Sequence, residues 1–184
     1  TRNVDFYDVK ADVERLCAGS GTVRLVAAAH PAFHPGRSAR VELDGNPIGW
    51  LGELHPKWQQ KYELPASPIL FELDCDVLLG MKMPAYSEIS RFPPVIRDLA
   101  VTVGEKVAVQ QLLDAMWAAR GPAVQAVSLF DVYRGKGVES GQKSLAFRVV
   151  MQDTARTLTD EEADAIKAGL LQVLTANFGA KLRA

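Results

Sequence analysis

The sequence predicts an α+β protein made of two units in series. Three observations lead there. Residues 91–103 open with Arg91-Phe92-Pro93-Pro94, where a double proline ends whatever precedes it, and continue through Arg97-Asp98 into the alternating strand Leu99–Val103. After that point the elements follow the order strand, helix, strand, strand, helix, strand. Before it, helices alternate with several short strands joined by tight turns, the pattern of helices packed on an antiparallel sheet.

In the first unit, Val9, Val13 and Leu16 share one helical face over Phe6–Cys17, and Gly19-Ser20-Gly21 stops that helix. Val23–Ala28 is a short apolar strand. His34-Pro35-Gly36-Arg37-Ser38-Ala39 reads as a turn. Arg40–Leu43 and Ile48–Leu54 are strands joined through Asp44-Gly45-Asn46-Pro47, a hairpin signal. His55–Tyr62 is a short helix with Pro56 in its first turn. Ile69–Leu73 is a strand, and Asp76–Leu79 is helical or irregular, with Asp74 and Asp76 capping or flanking it. The boundary falls in Gly80–Pro94, where Gly80, Pro84, Pro93 and Pro94 break every period. Domains of residues 1–85 and 86–184 are therefore expected.

In the second unit, Val109, Leu112, Leu113, Met116 and Trp117 form one helical face, ended by Gly121-Pro122. Val124–Tyr133 is a long strand and Ser144–Gln152 its partner. The loop Arg134–Lys143 between them holds three glycines and three basic residues. Thr159-Asp160-Glu161-Glu162 is a capping box: the threonine hydroxyl accepts from the third helical amide while Glu162 reaches back. Ile166, Leu170, Val173 and Leu174 then face one core, Asn177 and Gly179 offer helix-ending conformations, and Ala180–Arg183 is long enough for a last strand. This βαββαβ order is the ferredoxin-like arrangement. Right-handed crossovers put both helices on one face of a four-stranded antiparallel sheet and leave the other face uncovered, a platform on which unstacked bases can lie.

Composition narrows the function classes. The 184 residues are 48% hydrophobic and 23% charged, ordinary for a domain with a packed core. No apolar run approaches the roughly 18 residues that span a membrane, and no secretory leader is visible. The chain opens at Thr1 on an already structured segment and is read as a piece of a longer polypeptide. Cys17 and Cys75 are far apart and outside any CxxC pair, which points to a reducing compartment rather than a disulfide framework. Residues 1–90 carry 9 Lys and Arg against 12 Asp and Glu, whereas residues 91–184 carry 12 against 10, so the second unit is mildly basic. The spacings of His30, His34 and His55 match no zinc pattern, and no P-loop, GxGxxG or nucleophile elbow occurs. No catalytic residue and no metal site is expected.

Five ordered segments of the second unit resemble one family. They are Phe92-Pro93-Pro94-Val95-Ile96-Arg97-Asp98-Leu99-Ala100, Leu129-Phe130-Asp131-Val132-Tyr133-Arg134-Gly135, Lys143-Ser144-Leu145-Ala146-Phe147-Arg148, Arg156-Thr157-Leu158-Thr159-Asp160-Glu161-Glu162 and Ala180-Lys181-Leu182-Arg183. In order, they resemble the ferredoxin-fold anticodon-binding domain of the bacterial phenylalanyl-tRNA synthetase β subunit. In the first unit, His34-Pro35-Gly36-Arg37-Ser38-Ala39 and Gly49-Trp50-Leu51-Gly52-Glu53-Leu54-His55-Pro56 resemble that family's class II synthetase-like domain, a catalytic-like fold without an active site. The resemblance implies a C-terminal piece of the β subunit of a cytoplasmic α2β2 ligase that joins phenylalanine to its tRNA with ATP and Mg²⁺. It implies no cofactor in this piece itself, and as partners the phenylalanine tRNA and the catalytic α subunit, with no membrane.

Carried over by position, Tyr133 is expected to stack on an anticodon base, Ala100 to lie close to that base, and Ser144 to make a polar contact beside it. Arg134, Lys136 and Lys143 are added from charge alone, as phosphate contacts at the hairpin. Arg97-Asp98 is expected to be a salt bridge fixing the domain entrance, and Trp50 and Trp58 to be core or subunit-interface residues. Two alternatives remain beside this reading. The same element order serves metabolite-binding regulatory modules, because fold does not fix function. An RRM would need several aromatics on its third strand, and Ser144–Met151 offers only Phe147.

Overall fold

The computed structural model describes residues 2, 4–80, 86 and 89–183, so the expected break at Pro84 lies outside the described residues. The chain separates into two compact units, Thr1–Tyr86 and Ser87–Ala184. Each has its own four-stranded antiparallel sheet and its own core.

The first unit runs α1 (Phe6–Leu16), β1 (Val23–Ala27), β2 (Phe33–Leu43), β3 (Asn46–Leu54), α2 (Pro56–Lys61), β4 (Ile69–Leu73) and α3 (Cys75–Leu79), with strands in chain order across the sheet. Asp5 caps α1 by accepting from the N–H groups of Tyr7 and Asp8. Val13 of that helix and Cys17 at its C-cap are fully buried on Val41, Leu43, Ile48 and Leu51. The hairpin between β2 and β3 is tighter than the four-residue signal suggests. Asp44 (φ 49°) and Gly45 (φ 82°) alone make the turn, both left-handed as a two-residue hairpin turn demands. Residues 34–39 are not a turn but part of β2. The register jumps between Phe33 and Ser38, so Pro35, Gly36 and Arg37 run extended and exposed without ladder partners. Proline has no N–H to give the ladder, which produces a bulge where the composition suggests a reversal.

All three histidines are occupied locally. The Nδ1 atoms of His30, His34 and His55 accept the N–H groups of Ala32, Gly36 and Lys57 at 3.2, 3.1 and 3.1 Å. Asp74 caps α3 through the Asp76 N–H at 3.0 Å. Neither Trp50 nor Trp58 belongs to the buried core: Trp50 lies half-buried beside His30, and Trp58 lies half-buried with its Nε1 on the Pro31 carbonyl at 3.4 Å. Cys17 and Cys75 are both free thiols.

The second unit runs β5 (Val95–Gly104), α4 (Val109–Ala119), β6 (Val124–Tyr133), β7 (Gln142–Met151), α5 (Asp160–Phe178) and β8 (Lys181–Leu182), in the sheet order β6-β7-β5-β8. The βαββαβ order and the ferredoxin-like expectation therefore hold. β5 begins directly after Pro94, earlier than the alternation at Leu99 suggests, because Val95, Ile96, Arg97 and Asp98 already pair with Met151, Val150, Val149 and Arg148 of β7. Leu99, Val101 and Val103 on β5 and Leu145, Phe147, Val149 and Met151 on β7 point at Leu112 and Met116 of α4 and Ala163, Leu170 and Leu174 of α5. That layer is the core. Both described helices of this unit lie on that one side of its sheet.

Thr159 caps α5 as its sequence predicts, its hydroxyl accepting from the Glu162 N–H while Glu162 accepts from the Thr159 N–H at 2.9 Å. Arg156 also donates to Glu162 at 2.7 Å. These bonds, the arginine's first, pull the Glu162 carboxyl down to about 2 from its ordinary 4.5. A depressed acid stabilises the fold above its unfolded-state value and loses that contribution as pH falls through its folded value. Glu162→Gln is therefore expected to lower Tm at neutral pH, and the gap to wild type to close between pH 4.5 and about 2, as thermal melts over that range would show.

Arg97 and Asp98 do not bond to each other. Neighbours on a strand point to opposite faces, so Arg97 turns to the helix side and grips Asp160 and Asp164 of α5, the latter at 2.9 Å. Asp98 turns to the open side and takes Arg148 of β7 at 3.0 and 3.1 Å.

Candidate nucleic-acid interface

The helix-free face is laid out in rows by the strand register. Tyr133, Ser144, Thr102 and Lys181 face each other across the four strands. In the next row Asp131, Ala146 and Ala100 are aligned, and the N–H of Arg183 closes that row on the Ala100 carbonyl at 2.9 Å. Ser128, Arg148 and Asp98 make the row beyond. The centre is thus a floor of small side chains, Ala100, Ala146, Ser144 and Thr102, with larger groups around it.

Tyr133 reaches this face only because β6 is irregular. Val127 and Leu129 point to the helix side, so strict alternation would send Asp131 and Tyr133 there as well. The register shifts between Leu129 and Asp131, leaving Phe130 as an extra residue. One inserted residue exchanges the faces, and Tyr133 emerges on the open side, 36% exposed. Phe130 itself is half exposed, with the Arg148 guanidinium 5.0 Å from its ring centre. The tyrosine is braced from the loop. Its hydroxyl donates to the Lys136 carbonyl at 3.3 Å, and a Cβ placed on Gly135 would stand 2.6 Å from that hydroxyl oxygen and 2.7 Å from Cζ. Gly135→Ala is expected to push the ring aside while barely changing Tm, since a ring edge yields more easily than backbone. The Tyr133 ring resonances in NMR spectra would move, and an unmoved ring would contradict this packing.

The six residues singled out from the sequence occupy different settings. Tyr133, Ser144 and Ala100 come together on the open face, Ser144 only 4% exposed. Lys136 is exposed on the loop. Arg134 is held by Glu105 at 2.7 and 2.9 Å, which draws the Glu105 carboxyl below its ordinary value. Lys143 is not on a solvated hairpin tip. It is 7% exposed and its ammonium donates to the Glu105 carbonyl at 2.9 Å. Strand parity explains this, because Lys143 alternates with Leu145 and Phe147 and so starts from the helix side. Residues that the sequence reading passed over also stand on this face: Asp131, Arg148 and Arg183. Among the described residues Lys136, Lys181 and Arg183 have no carboxylate partner, so they are the cations open to an anion there.

Other chemistry is scarce. Among the described residues no group of three His, Cys, Asp or Glu side chains is placed to hold a metal ion. No described helix is long and apolar enough to cross a membrane. A half-open cleft of about 630 Å³ on the first unit is lined by His30, Phe33, Trp50, Phe71 and Glu72, with the His30 ring against both Phe33 and Trp50. Its His30, Phe33 and Trp50 rings are packed on one another and its histidine is already bonded to backbone.

Comparison with known proteins covers both units. A family model described as "Ferredoxin-fold anticodon binding domain" matches residues 90–183, and one described as "Phenylalanyl tRNA synthetase beta chain CLM domain" matches residues 1–75. The chain is 54% identical over 183 residues to the "Phenylalanine--tRNA ligase beta subunit" of Dechloromonas aromatica, covering 100% of this chain and 23% of that protein. It is 54% identical over 182 residues to the protein of the same name from Nitrosospira multiformis, covering 99% and 23%. It belongs to the phenylalanine–tRNA ligase β-subunit family. The Burkholderia pseudomallei β subunit is 51% identical over 192 residues, covering 100% of this chain and 24% of that protein. The chain thus spans about a quarter of the length of the curated β subunits it matches. The resemblance seen in the five ordered motifs is borne out, and the regulatory-module alternative finds no support. The RRM alternative fails on geometry as well, because Phe147, the aromatic it depends on, is fully buried on the helix side.

Proposed function

We propose that this β-subunit segment binds the anticodon loop of the phenylalanine tRNA on the helix-free face of its second sheet. It does so within an α2β2 ligase whose catalytic α subunit uses ATP and Mg²⁺. Residues 1–85 are then the inactive class II-like domain, contributing to contacts within the assembly, and residues 86–184 the anticodon-binding domain. No residue of the segment acts on the reacting atoms; its contribution is recognition. The observation that carries the reading is the exposed Tyr133 ring standing beside a floor of small residues, Ala100, Ala146 and Ser144, on a sheet face without a helix. An unpaired base lies flat on such a ring, and the small neighbours let it approach the sheet. Ser144 supplies a hydroxyl next to the base edge. Lys136 and Lys181 supply charge for the backbone, with Arg134 available only when it leaves Glu105, and Lys143 only when it leaves the Glu105 carbonyl.

Titrating the chain with the phenylalanine tRNA and with the same tRNA carrying a replaced anticodon tests this. The native anticodon is expected to bind about tenfold more tightly, with both affinities falling as salt rises. Equal affinity for the two RNAs at every salt concentration would remove anticodon reading from the account.

A further inference from the structure

The Tyr133 ring is not bare in the free protein. The guanidinium carbon of Arg183 lies 4.7 Å from its ring centre. The two residues come from opposite edges of the sheet, Tyr133 at the end of β6 and Arg183 just after β8, with β7 and β5 between them. They can meet because the positions between them are small, Ala146, Ser144 and Ala100. The Arg183 N–H is fixed on the Ala100 carbonyl at 2.9 Å, so the backbone is held while the long side chain reaches inward. Unlike Arg97, Arg134 and Arg148, it has no carboxylate partner among the described residues. A phenol ring and a guanidinium both stack on nucleobases.

Resting on the reading of this face as the RNA-binding one, we propose that Arg183 is the second wall of the base site. An unpaired base enters between the Tyr133 ring and the Arg183 guanidinium and is stacked on both sides. A base sandwiched in this way needs about 7 Å between the two groups, twice the roughly 3.4 Å rise of stacked bases. The guanidinium therefore retreats by about 2 Å from its present 4.7 Å, a movement within reach of the arginine stem while its N–H stays on Ala100. Until then the guanidinium lies over one side of the ring, which stays 36% exposed.

Two simpler roles give different results. A mere lid would compete with the base, so removing it would tighten binding. A phosphate contact would need only charge, so lysine would serve. The test measures affinity of the chain for a hairpin RNA carrying the phenylalanine anticodon loop, and for hairpins abasic at each anticodon position in turn. The proteins are wild type, Arg183→Ala, Arg183→Lys and Tyr133→Ala, with Tm recorded for each. The clamp predicts that Arg183→Ala and Arg183→Lys each weaken binding about tenfold, and that one abasic position reduces both penalties to about twofold or less. Tighter binding by Arg183→Ala, recovery by Arg183→Lys, or a penalty that persists at every abasic position overturns the clamp. If Tyr133→Ala weakens binding and Arg183→Ala does not, the clamp alone falls. If neither weakens it, or wild type does not bind, the reading of the face falls with it.

Discussion

Replacing Tyr133 with alanine is expected to weaken binding of a phenylalanine anticodon hairpin by about 5- to 150-fold, the range set by about 1–3 kcal/mol of base stacking. The substitution removes a ring that stands on the open face beside the small floor, at the very end of β6 and outside the buried core cluster. Stability should therefore change little. Tyr133→Phe keeps the ring and loses only the 3.3 Å bond to the Lys136 carbonyl, so its affinity should stay within about threefold of wild type. Equilibrium titrations of the three proteins give the comparison. Placed in the complete ligase, Tyr133→Ala should reduce kcat/KM for the tRNA and leave phenylalanine activation untouched, because the role proposed for this segment is recognition of the tRNA. Equal losses for alanine and phenylalanine would mean that the hydroxyl, and not the stacking face, carries recognition.

The second large effect concerns what holds the platform flat. Phe147 sits in the middle of β7, opposite Leu99 on β5 and Leu129 on β6, and is fully buried beneath the helices. Phe147→Ala is expected to cost about 3–5 kcal/mol, the lost transfer energy of the ring plus the cavity it leaves among well-packed neighbours. Denaturant unfolding followed by far-ultraviolet circular dichroism measures this. Phe147→Leu, which keeps most of the volume, should recover more than half of the loss. If alanine cost less than about 1 kcal/mol, the packing of both helices on β7 would be wrong as described.

Much of this architecture was legible because local and global signals agree. Val124–Tyr133 is read as a strand to the residue, and Thr159 with Glu162 announces the start of α5. The regions that escaped reading share a cause, which is that their outcome depends on partners distant in sequence. Residues 34–39 look like a reversal but belong to β2, with the unpaired bulge between Phe33 and Ser38, because β1 and β3 flank the rest of that strand. The side on which Tyr133 emerges depends on the extra residue Phe130, and no pattern within β6 marks which residue will be left unpaired. Lys143 was a different matter. Its alternation with Leu145 and Phe147 already placed it on the helix side, so parity rather than charge was the signal to follow. Arg183 and Tyr133 are 50 residues apart and meet only after four strands have been ordered, so nothing local links them.

NMR of the chain with an anticodon hairpin tests the central claim most directly, with the Tyr133 ring resonances assigned by comparison with Tyr133→Phe. Upfield ring-current shifts of those protons and cross-relaxation to the protons of one anticodon base are the expected result. Tight, anticodon-dependent binding that leaves the Tyr133 ring signals where they stand in the free protein would contradict it.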